Sequence, residues 1–74
     1  MNQREVTVMV KPGSFKRSVE SFGDNKFLVK IEFKEHSQIN SELPKMLAPR
    51  LGIPPKSFQL VSGFEKDIKI FEIY

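Results

Sequence analysis

The sequence has no cysteine and no tryptophan, and its only histidine is His36. Without cysteine there are no disulfides and no thiolate metal ligands, and one imidazole cannot build a histidine-based zinc site. That usage favours a cytoplasmic protein. Long apolar runs are missing as well. A membrane-spanning helix needs about 18 such residues in a row, so no membrane association is expected. Behind Met1-Asn2-Gln3-Arg4-Glu5 there is no apolar core of a secretory signal. Repeats, low-complexity tracts and linkers are also missing.

Catalytic signatures are equally scarce. Neither a GxxxxGK[ST] phosphate loop nor a GxGxxG turn occurs. Ser14, Ser18, Ser21, Ser37, Ser41, Ser57 and Ser62 supply hydroxyls, but only His36, in the polar loop Lys34-Glu35-His36-Ser37, could activate one. The acids Glu5, Asp24, Glu35 and Asp67 have no spacing suited to a metal or to paired acid–base work. The expectation is a protein that is not an enzyme, with no catalytic residue, no cofactor and no metal.

What is present is a chain of 74 residues, 39% hydrophobic and 28% charged, the proportions of one small soluble domain spanning residues 1–74. A chain this short buries only about 60% of the surface its unfolded form exposes, so its stability is marginal. Twelve basic and nine acidic side chains give a net charge of +3. The pI of about 9.4 falls in the range of nucleic-acid-binding domains, roughly above 9.

Periodicity defines the elements. Val6, Val8 and Val10 alternate with polar residues and Met9 over Arg4 to Lys11, the period of two of a strand, which Pro12-Gly13-Ser14 stops. Arg17 to Phe22 is a weaker strand, ended by the turn Gly23-Asp24-Asn25. Over Lys26 to Lys34, Phe27, Val29, Ile31 and Phe33 face one way while Lys26, Lys30, Glu32 and Lys34 face the other, a strand with one wet face. The period then changes. Leu43, Met46, Leu47 and Leu51 form the stripe of an amphipathic helix ending at Gly52. Asn40 or Ser41 is its predicted N-cap, with Glu42 in the first turn, and Pro49 predicts a kink or an early end. Pro54-Pro55 leads through a single helical turn, and Ser57 to Ser62 and Ile68 to Tyr74 are the last strands. The predicted fold is α+β and two-layered. A small mixed sheet of about five strands, in the order strand-strand-strand-helix-strand-strand, carries one main helix on one face.

The segments Val8-Met9-Val10-Lys11-Pro12-Gly13-Ser14, Phe27-Leu28-Val29-Lys30-Ile31, Asn40, Leu47-Ala48, Leu51-Gly52-Ile53-Pro54, Lys56-Ser57, Leu60-Val61-Ser62-Gly63 and Lys69 occur in an order and spacing that resemble the YggU-like family. These are small α+β proteins of unassigned function, and the likeness runs from about Val6 to Ile73. In that family the loop before the helix carries Gly-Lys-Ala-Asn. Here the asparagine matches Asn40 while the lysine becomes Gln38. The family's Ser-Arg pair falls on Lys66-Asp67, and the lysine that follows matches Lys69. A shorter likeness to ubiquitin, from Gly52-Ile53-Pro54-Pro55 to Gln59-Leu60-Val61, comes without a terminal Gly-Gly.

With the first three strands as a meander, the first and third point the same way, and their ends share one edge of the sheet with the helix start and the last turn. Lys11, Ser14, Asn40 and Lys69 would converge there, with Lys16, Arg17 and Lys66 close by. A helix N-terminus beside lysines and glycine turns offers unpaired N–H groups to an anion. The same residues also have plainer uses in turns, caps and solvated strand faces. Phe15 and Phe64, in turns at that end, are the candidates for stacking on bases. The functional expectation is a monomeric binding module for an anionic partner, RNA first. The alternative is a protein-interaction module offering an exposed edge strand to a partner chain, with the closing Ile68 to Tyr74 as that strand.

Overall fold

The computed structural model describes residues 4–74, so the reading of Met1, Asn2 and Gln3 lies outside the described residues. The elements are β1 (Arg4–Lys11), β2 (Ser18–Gly23), β3 (Lys26–Lys30), α1 (His36–Leu51), a single 3-10 turn (Pro55–Ser57), β4 (Phe58–Ser62) and β5 (Ile68–Ile73). The five strands form one mixed sheet in the order β2-β3-β1-β5-β4. Only β1 and β3 pair in parallel; β2–β3, β1–β5 and β4–β5 are antiparallel. This is the expected α+β arrangement with one main helix.

Three local expectations change. The first three strands are not a meander. The tight turn after Gly23, with Asn25 at φ 55°, closes β2 onto β3 as a hairpin. The longer stretch from Pro12 to Arg17 lets β3, not β2, lie beside β1. The first and third strands still point the same way. The closing strand, in turn, is not an edge. β5 sits between β1 and β4, its ladder groups engaged on both sides, so it cannot be offered to a partner; the edges are β2 and β4. Finally, β3 ends at Lys30, because from Ile31 onward the backbone bonds to the Lys11–Ser14 turn.

The helix also departs at its start. It begins at His36, with Glu35 rather than Asn40 or Ser41 at the N-cap and no side-chain cap. Ile39 explains the extra turn: it is fully buried on the stripe with Leu43, Leu47 and Ala48, and starting the helix later would lose it from the core. No acidic residue lies in the first turn, so Glu42 has other work. Pro44 and Pro49 are both inside the helix, which nonetheless runs to Leu51 before Gly52 ends it at φ 66°. The Gly52 N–H donates to Ala48 O at 2.8 Å. Near the C-terminal end, Pro49 has little helix left to interrupt.

The helical stripe packs on Val6, Val8, Val10, Phe27, Val29, Phe71 and Ile73, the inward residues of the three central strands, with Phe58 closing the core. Phe58 and Phe71 meet edge to face at 6.3 Å. Among the described residues one charged side chain joins this layer: Lys69, with no exposed surface.

The turn before β5 depends on Gly63. Its φ is 82°, and a Cβ there would run into the carbonyl oxygen of Ile68 and come within 2.9 Å of Lys69 Cα. Gly52, also left-handed, has open space around that position. Gly63→Ala should therefore cost about 3 kcal/mol or more, from strain plus overpacking. Gly52→Ala should cost only about 1–2 kcal/mol. Urea unfolding measures both, and equal losses would contradict this reading of the turn.

Candidate anion and nucleic-acid interface

Because β1 and β3 run in parallel, Lys11 and Lys30 are register partners at one end of the sheet. Backbone bonds gather the connecting segments there. Gly13 N–H donates to Phe33 O (3.0 Å), Ser14 N–H to Ile31 O (2.9 Å), and Val10 N–H to Asp67 O (2.7 Å). The expected convergence is thus present in the backbone, but the side chains divide into two groups of different character.

The first group lies on the β1–β2 side. Lys11 and Lys16 are exposed, and among the described residues neither forms an ion pair. Ser14 Oγ donates to Lys11 O at 2.7 Å, which braces the turn and occupies its proton. Phe15 is 96% exposed, so it does not fold back to cover the core. A groove lined by Ser14, Phe15, Lys16, Arg17, Ser18, Glu20 and Lys30 runs across this end. Strand alternation gives Lys30 only a solvated role, so the sequence alone does not mark it as part of the groove.

Arg17 differs from the lysines around it. Its guanidinium grips both oxygens of Glu32, at 2.6 and 2.9 Å, and donates to Glu42 at 3.0 Å. It also lies 5.4 Å from the centroid of Phe33, a cation–π distance. These hydrogen bonds hold the Arg17 pKa above its ordinary value and the two carboxyls below theirs. Arg17 therefore pins the segment after β3 to the helix, and an anion would have to displace two carboxylates to reach it.

The second group surrounds the helix start. The Lys69 ammonium has three N–H donors and meets three partners: Gly63 O at 2.8 Å, Phe64 O at 3.1 Å and His36 Nδ1 at 3.2 Å. Burial lowers its pKa, opposed by the charge of Asp67. As the acceptor of an ammonium proton, His36 Nδ1 carries none, so its own N–H sits on Nε2, 4.0 Å from Asp67 Oδ1. Asn40, inside the helix, donates from Nδ2 to Phe64 O at 3.0 Å. Phe64 itself stays 56% exposed. The adjoining groove is lined by Glu35, His36, Ser37, Asn40, Phe64 and Glu65, so two carboxylates flank the helix N-terminus. Their repulsion opposes an anion at the place where the sequence put one. Lys69 and Asn40 hold the Gly63–Asp67 turn instead, and Lys66 stands exposed on that turn without an ion pair among the described residues.

No protein-family model matches the chain.

Two measurements test these roles. Lys69→Met keeps an apolar stem but removes the charged donor from two turn carbonyls, leaving Gly63 O only the Lys66 N–H and Phe64 O only Asn40 Nδ2, so it should cost about 1–3 kcal/mol and speed amide exchange across 63–67. Lys66→Met should stay within about 0.5 kcal/mol. Equal losses would remove the structural role of Lys69. For Arg17 the test is pH. Because the fold depresses the Glu32 and Glu42 pKa values, their contribution is present above the ordinary glutamate value of about 4.3 and is lost as pH falls through the folded values. Urea midpoints between pH 6 and 3 should therefore fall less in Arg17→Ala than in the parent, and parallel curves would contradict the assignment.

Proposed function

We propose that this protein is a small, non-enzymatic and cytoplasmic binding module, acting as a monomer on an anionic partner, single-stranded RNA first. The observation that carries the reading is the groove on the β1–β2 side. It combines Lys16 and Lys30 with Phe15, which is 96% exposed, and Lys11 is the register partner of Lys30. Uncommitted ammonium groups attract phosphates and release their counterions, and an exposed ring stacks on any base. A large aromatic left this open in a small domain is otherwise a cost to solubility. Lys66 adds positive charge nearby. Arg17, Asn40 and Lys69 take supporting roles, holding the loops from which the lysines and Phe15 project. Of these residues, Lys11, Lys30, Asn40 and Lys69 lie in the segments that resemble the YggU-like family, whereas Phe15, Lys16, Arg17 and Lys66 lie outside them.

The test is a pair of lysines. Lys11→Ala with Lys16→Ala should weaken binding of a short single-stranded RNA at low salt. It should also reduce the slope of log affinity against log salt by about 0.7 for each phosphate that is no longer neutralised, while leaving the thermal midpoint near that of the parent. Unchanged affinity and slope would overturn the site.

A further inference from the structure

The sheet face turned away from α1 is ordered in rows that follow from the register. Ser18, Lys30 and Lys11 lie side by side across β2, β3 and β1. One step down the strands, Glu20, Leu28, Met9 and Ile68 form the next row, from β2 to β5. A basic row is thus followed directly by an apolar one, and at the β2 end of the apolar row stands a carboxylate. Two grooves meet at that carboxylate. The first is the basic groove that holds Phe15, Lys16 and Lys30; the second is lined by Met9, Glu20, Ser21, Phe22 and Leu28. The β2–β3 register shifts between Ser21 and Gly23, at Phe22. Phe22, two residues on from Glu20, shares the open face by strand alternation, where it is 52% exposed and forms a wall of the second groove.

Glu20 is the odd member of this surface. It is exposed, and among the described residues its carboxylate makes no hydrogen bond and no ion pair, although Lys30 shares its groove. A carboxylate that weakens a phosphate-binding face is either incidental or meets a donor on the ligand. An ionised carboxylate only accepts hydrogen bonds. Nucleobases differ in this respect: cytosine, adenine and guanine carry an exocyclic amino group, whereas the base donor of uracil, N3–H, is flanked by two carbonyl oxygens that repel a carboxylate. Carboxylate side chains accept from such amino groups when they read bases.

Resting on the RNA reading above, we propose that Glu20 is the base-reading residue of the site. A base lies in the second groove against Phe22, with Met9 and Leu28 beneath it, and its amino group donates to the Glu20 carboxylate. Its phosphate is held by the neighbouring basic row, Lys30 and Lys11, with Lys16. The face selects amino-bearing bases and disfavours uracil. The second groove, about 260 Å³, is below the roughly 300–1,000 Å³ of a drug-sized ligand site, a size suited to one planar ring system. The mixture of lysines with an apolar row favours a strand of nucleotides over an apolar peptide helix, which would leave the lysines without counter-charges.

Equal-length homopolymers of cytidine, adenosine and uridine, measured by fluorescence anisotropy at low salt, test the proposal. The parent protein should bind the cytidine and adenosine strands about tenfold more tightly than the uridine strand, the range of one good base pairing by a side chain. Glu20→Ala should abolish that preference and raise uridine affinity, because it removes a negative charge from the face. Phe22→Leu should weaken all three strands about fivefold or more, because stacking is removed. Equal binding of the three strands, or a preference that survives in Glu20→Ala, would overturn the assignment while leaving the basic groove standing. Binding of none would overturn the RNA reading along with it. Concentration-dependent NMR shifts of Met9, Phe22 and Leu28 that RNA leaves unchanged would assign the face to a second copy and overturn the base pocket.

Discussion

The parallel pairing of β1 with β3 is the constraint on which the rest of this molecule depends. It sets two strand ends side by side, so that Lys11 adjoins Lys30 and the two segments that follow can bond to each other through Gly13, Ser14, Ile31 and Phe33. It also sends β2 to the edge of the sheet, carrying Glu20 and Phe22 out with it. An antiparallel meander of the same three strands would have put β2 between β1 and β3 and separated the lysines. In a domain this small, one pairing choice therefore decides which surface is basic.

Positive charge in the sequence and positive charge at the surface are different quantities here. Lys69 is wholly buried, and its ammonium serves the Gly63–Asp67 turn and His36. Arg17 spends its donors on Glu32 and Glu42. The helix N-terminus, an electropositive feature in general, is flanked by Glu35 and Glu65. What remains available is a set of lysines on the β1–β2 side and on the turn around Lys66. Each of the engaged cations has a mechanical task instead: one closes a turn, and the other fastens the segment after β3 to the helix.

The strands were legible because Val6, Val8 and Val10, and Phe27 and Val29, alternate with polar residues at a period that only a half-buried strand explains. Gly52 and the pair Pro54-Pro55 marked the end of the helix and the turn after it just as clearly. The helix start was not legible. A single Ile39, one turn ahead of the first leucine of the stripe, carried that information, and Asn40 imitated a cap that it does not form. Pairing order was beyond reach as well, since β1 can lie beside β2 or beside β3 with the same alternation. Of the candidate residues, Ser14, Phe15 and Lys16 line one groove just past the strand end at Lys11, a proximity legible in the sequence because turn residues next to a strand end cannot move far. The burial of Lys69 was hidden, because its neighbours Ile68 and Ile70 suggest that the apolar face of β5 is theirs. In fact the inward face is the one shared by Lys69, Phe71 and Ile73.

The central claim is that the anionic partner meets the β1–β2 side and not the helix start. An amide-resolved NMR titration with a short single-stranded RNA at low and moderate salt tests it most directly. The account predicts shifts confined to residues 11–18, 20–22 and 28–30, fading as salt is added. Residues 35–40 and 63–65, around the two carboxylates, should stay in place. Shifts centred on 35–40, or none at either salt, would contradict it.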